Sequence, residues 1–240
     1  MITVEQRQSV LLSRGSSSNF FGMSEDAFVV APTRKHTATI IFMHGLGETG
    51  EKWSKILSKL TKPNVKVICP NAKKLPLTLN KGFPTAAWFD IHHLDEHTPE
   101  DESSILRAMD NLHGIIDQEL STSRVPASKV IIGGFSQGGA LAVYSALNYP
   151  KRFGGIFIMS SWIPMNKTFP DAASSNENTP TLHCHGTDDP VIPFRWGQIT
   201  SDVMSDLNPK YVFNVYEGLK HEVNEKELQD IKTFIDKILP

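Results

Sequence analysis

A serine set between glycines, Gly134-Phe135-Ser136-Gln137-Gly138 with Gly139 next, is the stretch of this sequence best suited to covalent chemistry. It follows the apolar run Val130-Ile131-Ile132 and opens a segment, Ala140 to Leu147, that reads as a buried helix. A sharp strand-to-helix turn strains the backbone at its serine and lifts the hydroxyl above the sheet, where it can attack a carbonyl carbon. Strand and helix pass so closely at such a turn that side chains at 134 and 138 would collide, which calls for glycine at both. At this composition the five-residue pattern arises by chance in roughly one chain in ten, so its surroundings must decide.

A serine hydroxyl is a poor nucleophile until a histidine takes its proton and a carboxylate fixes that histidine's tautomer. Of nine histidines only His183, His185 and His221 follow Ser136. The first two sit within a predicted strand or at its tip. His221 lies just after the turn Glu217-Gly218-Leu219-Lys220, between the last predicted strand and the last helix, where a base can reach back over a sheet. The acid comes from His185-Gly186-Thr187-Asp188-Asp189-Pro190, past the predicted strand Thr181–His185. The spacing to Ile192-Pro193 puts Asp189 in the acid position; Asp188 is the alternative, and otherwise reads as a turn residue accepting backbone hydrogen bonds. Attack on a carbonyl also needs donors for the oxyanion. The Gln137 N–H is one. The other is the Leu46 N–H, in the run His44-Gly45-Leu46-Gly47 that follows Ile40-Ile41-Phe42.

These pieces need a sheet to hold them. Short apolar runs at Phe28–Val30, Thr39–Met43, Val65–Cys69, Lys129–Gly133, Gly155–Met159, Thr181–His185 and Val212–Tyr216 have strand length, and several are rich in β-branched residues. Trp53, Ile56, Leu57 and Leu60 fall on one helical face. Thr98-Pro99 reads as a cap with proline at the first helical position, starting a helix that buries Ile105, Met109, Leu112 and Ile116. Asn224 with Glu227 reads as a cap before a helix burying Leu228, Ile231, Ile235 and Ile238. The alternation predicts an α/β fold, a mostly parallel sheet with helices on both faces and the site at the carboxyl ends of its strands. The segment Pro70–His97 breaks the rhythm: it is proline-rich, has no clean period, and still carries Leu75, Leu77, Leu79, Phe83, Trp88 and Phe89. It reads as a loop walling an apolar substrate site, against a loop merely packed over the core.

Composition is that of an ordinary globular protein, with 40% hydrophobic and 21% charged residues. A net charge of −2 gives no case for nucleic acid. Residues 1–24 read as a polar extension, without the apolar core of a secretory signal and with Met23 as an alternative start; residues 25–240 read as a single domain. Cys69 and Cys184 read as buried, inert thiols, which fits a reducing compartment and a cytoplasmic location. His92, His93, His97, His183 and His185 show no zinc spacing, and no metal or other cofactor is expected.

With these residues in place the chain resembles the acyl-protein thioesterase/lysophospholipase family, small carboxylesterases of the α/β-hydrolase fold. The resemblance rests on His44–Gly50, Cys69-Pro70-Asn71-Ala72, Trp88-Phe89-Asp90-Ile91, Gly133–Ala140, Ser161-Trp162-Ile163-Pro164, His185–Pro193 and Tyr216-Glu217-Gly218. It implies Ser136, Asp189 and His221 as triad and the Leu46 and Gln137 amides as oxyanion hole. It also implies an acyl channel bordered by Leu75, Leu79, Trp88 and Trp162. The implied substrates are long-chain acyl thioesters on S-acylated proteins, with lysophospholipids and simple esters secondary. Membrane contact would be transient at most, and a weak homodimer is left open. A general carboxylesterase of small esters and a non-catalytic binding module are the alternatives. Two departures stand out: Glu48 in place of an aspartate, and Glu222 after His221 in place of a small hydroxyl residue.

Overall fold

The computed structural model describes residues 27–94, 98–169 and 175–240. The polar extension and Met23 lie outside the described residues. Seven strands make one sheet: β1 (Ala27–Val30), β2 (Ala38–Met43), β3 (Val65–Pro70), β6 (Val130–Phe135), β7 (Gly155–Met159), β8 (Thr181–Gly186) and β9 (Tyr211–Tyr216). The remaining two, β4 (Lys74–Leu77) and β5 (Phe83–Ala86), form a separate antiparallel hairpin. The sheet order is β1-β3-β2-β6-β7-β8-β9. Only the edge strand β1 runs antiparallel to its neighbour; every other pair is parallel. All seven predicted runs are strands of this sheet.

Five helices among the described residues cover it: α1 (Gly50–Leu60), α2 (Glu102–Ser123), α3 (Gln137–Leu147), α4 (Phe194–Leu207) and α5 (Glu225–Ile238). Alternation along a strand sends successive side chains to opposite faces. Ile40 and Phe42 therefore join Trp53 and Leu57 of α1 and Ile231 and Ile235 of α5 on one face. Ile41 and Met43 join Ile105 and Leu112 of α2, α3, and Met204 of α4 on the other. With both faces covered, the central strands are buried from end to end, as a parallel sheet requires. Each large apolar side chain so buried contributes roughly 1.5–3 kcal/mol.

Two helix expectations need correction. The cap of α2 is Asp101, whose carboxylate accepts from the Ser104 N–H, so Thr98 and Pro99 lead into the helix without starting it. Ala108 is buried on that helix, and Met109 only partly. Asn224 does cap α5, its side chain accepting from the Glu227 N–H at 2.8 Å. Leu228 and Ile238 flank the buried pair Ile231 and Ile235 and are themselves half-buried.

From β2 the chain moves outward to β3, whereas from β6 it moves the opposite way, through β7 and β8 to β9. The strand order thus reverses between β2 and β6. A crevice opens at the carboxyl ends of strands at such a point, and here β2 runs into His44-Gly45-Leu46 while β6 runs into Ser136.

Candidate active site

Ser136 follows β6 directly and precedes α3, with φ 53° and ψ −126°. A non-glycine residue in this region is strained by about 1–3 kcal/mol and must be held there by its neighbours. Three features hold it. The Ser136 N–H donates to the Met159 carbonyl at 2.9 Å, the Ser136 carbonyl accepts from the Gly139 and Ala140 N–H groups, and the Ser161 hydroxyl donates to the same carbonyl at 2.8 Å. Glycine is compulsory on both sides. A Cβ on Gly134 would lie 2.3 Å from the Gly138 backbone, and one on Gly138 would lie 2.2 Å from the Met43 carbonyl oxygen.

His221, which lines the same cleft as Ser136, belongs to a carboxylate–imidazole pair. Asp189 Oδ2 accepts from His221 Nδ1 at 2.7 Å, while Asp189 Oδ1 accepts from the Val191 and Ile192 N–H groups, both at 2.8 Å. Burial alone would raise the Asp189 carboxyl. The His221 bond and charge, with the Ile192 and Val191 amides, outweigh it and hold the group below the ordinary carboxylate range. Asp188 is exposed and accepts from its neighbour, the Thr187 hydroxyl. The geometry thus pairs His221 with Asp189 rather than Asp188. The Phe135 ring lies 4.7 Å from the His221 ring and supports it from the sheet side.

The turn after β2 is fixed from several directions. His44 Nε2 accepts from the Ala72 N–H, so Nδ1 carries the proton and donates to the Gly45 carbonyl at 2.8 Å. Burial pushes the His44 imidazole down, keeping it neutral in this role. Trp88 Nε1 donates to the His44 carbonyl at 2.8 Å. Glu48, across the turn, accepts from the Gly45 N–H at 3.0 Å, from Trp53 Nε1 at 2.8 Å and from Lys52 at 2.8 Å. Burial would raise the Glu48 carboxyl, but these donors outweigh it and hold the carboxyl low. Glu48→Ala is therefore expected to lower turnover about tenfold by freeing Leu46 from its place, and to cost about 1–3 kcal/mol of stability by leaving the buried Trp53 indole N–H without its acceptor. Ester-hydrolysis kinetics beside a thermal melt check this; unchanged turnover would show the turn to be held without Glu48.

Leu46, Gln137, Ser136 and His221 all line one cleft of about 520 Å³. α3 begins at Gln137, so the Gln137 N–H is among the donors left unpaired at a helix start, at the positive end of its dipole. The rest of the wall is largely apolar: Ile91, Leu94, Phe135, Trp162, Val191, Ile192 and Val223, with Glu48, Lys52 and Glu222 at the polar side. Of the four residues expected to border an acyl channel, Trp162 lines this cleft and Leu75, Leu79 and Trp88 do not. Leu75 and Leu79 pack on the core behind it. Trp88 is held by its backbone N–H to the Gln137 side chain and by its indole to His44. Ile91 and Leu94, further along the same segment, face the cleft instead. They follow a Trp-Phe-Asp run that looks like core, and nothing in their spacing marks them.

Of the histidines set aside as non-catalytic, His97 lies outside the described residues. His183 and His185 are fully buried and hydrogen-bonded. Asp90, His92 and Asp101 offer ligand atoms within 4.8 Å of one another. Asp90 is taken by the Thr78 N–H and hydroxyl, and Asp101 by its helix cap, so this grouping is spent on local structure. Cys69 and Cys184 are buried and unbridged, and burial pushes the Cys69 thiol up to about 12.

The sequence profile of the phospholipase/carboxylesterase family matches residues 24–239. The chain belongs to this family. It is a serine hydrolase of the α/β-hydrolase fold. Among family relatives, acyl-protein thioesterase 1 of Gibberella zeae is 34% identical over 218 residues, 86% of this chain and 92% of its own length. Acyl-protein thioesterase 1 of Schizosaccharomyces pombe is 34% identical over 89% of this chain and 96% of its own. The crystal structure of Zea mays acyl-protein thioesterase 2 superposes with a TM-score of 0.81 at 30% identity, covering 89% of this chain and 99% of that one. The predicted fold is thereby confirmed in both topology and family.

Proposed function

We propose that this phospholipase/carboxylesterase family member is an acyl-protein thioesterase that removes long-chain acyl groups from S-acylated proteins, with lysophospholipids and carboxylic esters as secondary substrates. One observation carries this: a strained serine and the His221 of an Asp189–His221 pair line one cleft walled mainly by apolar side chains. Each methylene buried against that wall is worth roughly 0.8 kcal/mol, so long acyl chains are favoured over short ones. The relatives named acyl-protein thioesterase support the same reading.

The reaction uses the geometry directly. His221 Nδ1 is committed to Asp189, which leaves Nε2 to take the Ser136 proton. Ser136 Oγ attacks the thioester carbonyl, and the resulting oxyanion is held by the Leu46 and Gln137 N–H groups. Collapse of the tetrahedral intermediate breaks the C–S bond and releases the thiol with the proton from His221. Water, deprotonated by the same imidazole, then hydrolyses the acyl-serine and restores the enzyme. A thiol leaves readily, so a simple triad without peptide subsites suffices.

The test pairs fluorophosphonate labelling of wild type and Ser136→Ala with a substrate series. Wild type should label and Ser136→Ala should not, and rates on S-acyl-cysteine peptides should rise with acyl length. Labelled protein that cleaves short esters but leaves acyl-cysteine peptides and lysophospholipids untouched would reduce the reading to a general carboxylesterase. No labelling of wild type would make it a binding module. Among the described residues no helix is long and apolar enough to cross a membrane.

A further inference from the structure

Behind the acid lies a chain of buried polar groups that the hydrolytic steps do not use. His185 Nε2 contacts the Ile192 carbonyl at 2.9 Å and lies 3.8 Å from Asp189 Oδ2. His185 Nδ1 meets His183 Nε2 at 3.4 Å, and His183 Nδ1 meets the Tyr211 hydroxyl at 2.7 Å. Both histidine side chains are fully buried on β8, and Tyr211 begins β9 at the sheet edge.

The proton positions follow from the partners. A carbonyl only accepts, so His185 Nε2 carries the hydrogen. In a neutral ring its Nδ1 is then a lone pair, and the contact with His183 is a donation from His183 Nε2. That leaves His183 Nδ1 to accept from the Tyr211 hydroxyl, and Tyr211 in turn is hydrogen-bonded by Ser201. His183 also hydrogen-bonds the Ser161 carbonyl, which calls for an N–H on that ring, as this assignment provides. Burial pushes both imidazoles down, which keeps them neutral. The charged or titratable groups facing His185 are Asp189, His183 and His221; the α4 residues packed on it, Phe194 and Gly197, carry no charge.

We propose that His185 is a positioning residue for the catalytic acid, held in its Nε2–H form by a relay through His183 to Tyr211. The proposal rests on the reading of Asp189 as that acid. Ile192 is the link: its N–H, in the peptide it shares with Val191, holds Asp189 Oδ1, and its carbonyl, in the next peptide toward Pro193, is held by His185. Anchoring Ile192 at its carbonyl restrains the residue whose N–H holds the carboxylate, and through Oδ2 the His221 ring. The fold makes room for the device. A Cβ on Gly197 of α4 would lie 2.7 Å from His185 Nδ1, so the absence of a side chain there is what admits the imidazole.

Two measurements test this. Nitrogen NMR of the wild-type protein should show His183 and His185 as neutral Nε2–H tautomers from pH 5 to 8; an Nδ1–H tautomer or an imidazolium at either position overturns the relay. In kinetics, His185→Gln, which keeps a donor at the Nε2 position, should retain kcat within about threefold. His185→Phe, and Gly197→Ala, which displaces the ring without touching Asp189, should each lower kcat by roughly 10- to 100-fold with KM unchanged, the penalty of a misplaced catalytic group. Should His185→Phe fail to fold, Gly197→Ala carries the comparison. Wild-type kcat in His185→Phe or Gly197→Ala, or a loss in His185→Gln equal to that in Phe, overturns the positioning role. Activity retained by Asp189→Asn would instead sink the acid assignment itself, so the two failures are separable.

Discussion

Asp189→Asn is expected to lower kcat by roughly three to four orders of magnitude with KM little changed, while Asp188→Asn stays within about twofold. Asp189 Oδ2 accepts the His221 Nδ1 proton at 2.7 Å. An asparagine there can turn its amide toward the ring, so that His221 Nδ1 accepts and the proton moves to Nε2. The imidazole then meets Ser136 with a hydrogen where it needs a lone pair. Asp189 Oδ1 is already held by the Val191 and Ile192 amides, which fix the side chain and leave the structure otherwise intact. Asp188 has no such connection and is exposed. Steady-state hydrolysis of an activated ester by the two variants decides between them, and the reverse ranking would move the acid to Asp188. The Asp189 carboxyl titrates below its ordinary value, so its contribution to stability is complete above that value and is lost as pH falls through the lowered one.

The second large effect concerns stability. Glu227 on α5 is fully buried, and neither carboxylate oxygen has a hydrogen-bond partner among the described residues. Burial, with the Asp230 charge adding to it, pushes its carboxyl up from 4.5 to about 8. In the unfolded chain the group ionises near its ordinary value, so between about 4.5 and 8 the unfolded state binds fewer protons. Stability must then fall as pH rises through that window and level off above it. The full shift corresponds to a cost on the order of 5 kcal/mol. Glu227→Gln removes the charge while keeping the shape. It should match wild type within about 1 kcal/mol at pH 5 and exceed it by a few kcal/mol at pH 8.5. Paired urea denaturation at the two pH values checks this, and a variant less stable than wild type at pH 8.5 would refute it.

The sheet was legible because a parallel sheet covered on both faces demands continuous apolar strands, and Ile40–Phe42 or Ile156–Ile158 can serve little else. The pairing of His221 with Asp189 was legible because strand ends, turns and chain order restrict where each can stand. The hairpin β4–β5 was not. Pro76 and Pro84 read as breakers, yet they face each other across a two-stranded ribbon, where each strand has a free edge and a missing N–H is tolerated. The cleft wall was misread for a related reason. Greasy residues at 75, 79 and 88 carry the same composition signal as those at 91 and 94, and only the path of the chain decides which set turns toward Ser136. Glu48, seen from sequence as a departure, proves to organise the turn that carries Leu46.

The closeness of β6 and α3 around Ser136 also bears on how such an enzyme can change. Alanine is the smallest step away from glycine, and at 134 or 138 it already drives a Cβ to within 2.3 Å of backbone. The elbow therefore has no neutral neighbours in sequence space and cannot drift. The segment that borders the cleft is anchored differently. The Gln137 side chain accepts from the Trp88 N–H and donates to the Phe89 carbonyl, main-chain contacts that do not depend on the side chain at either position so long as 88 is not proline. In this chain the nucleophile turn is closed to any side chain at 134 or 138, while the segment bordering the cleft is tied to it through main-chain groups.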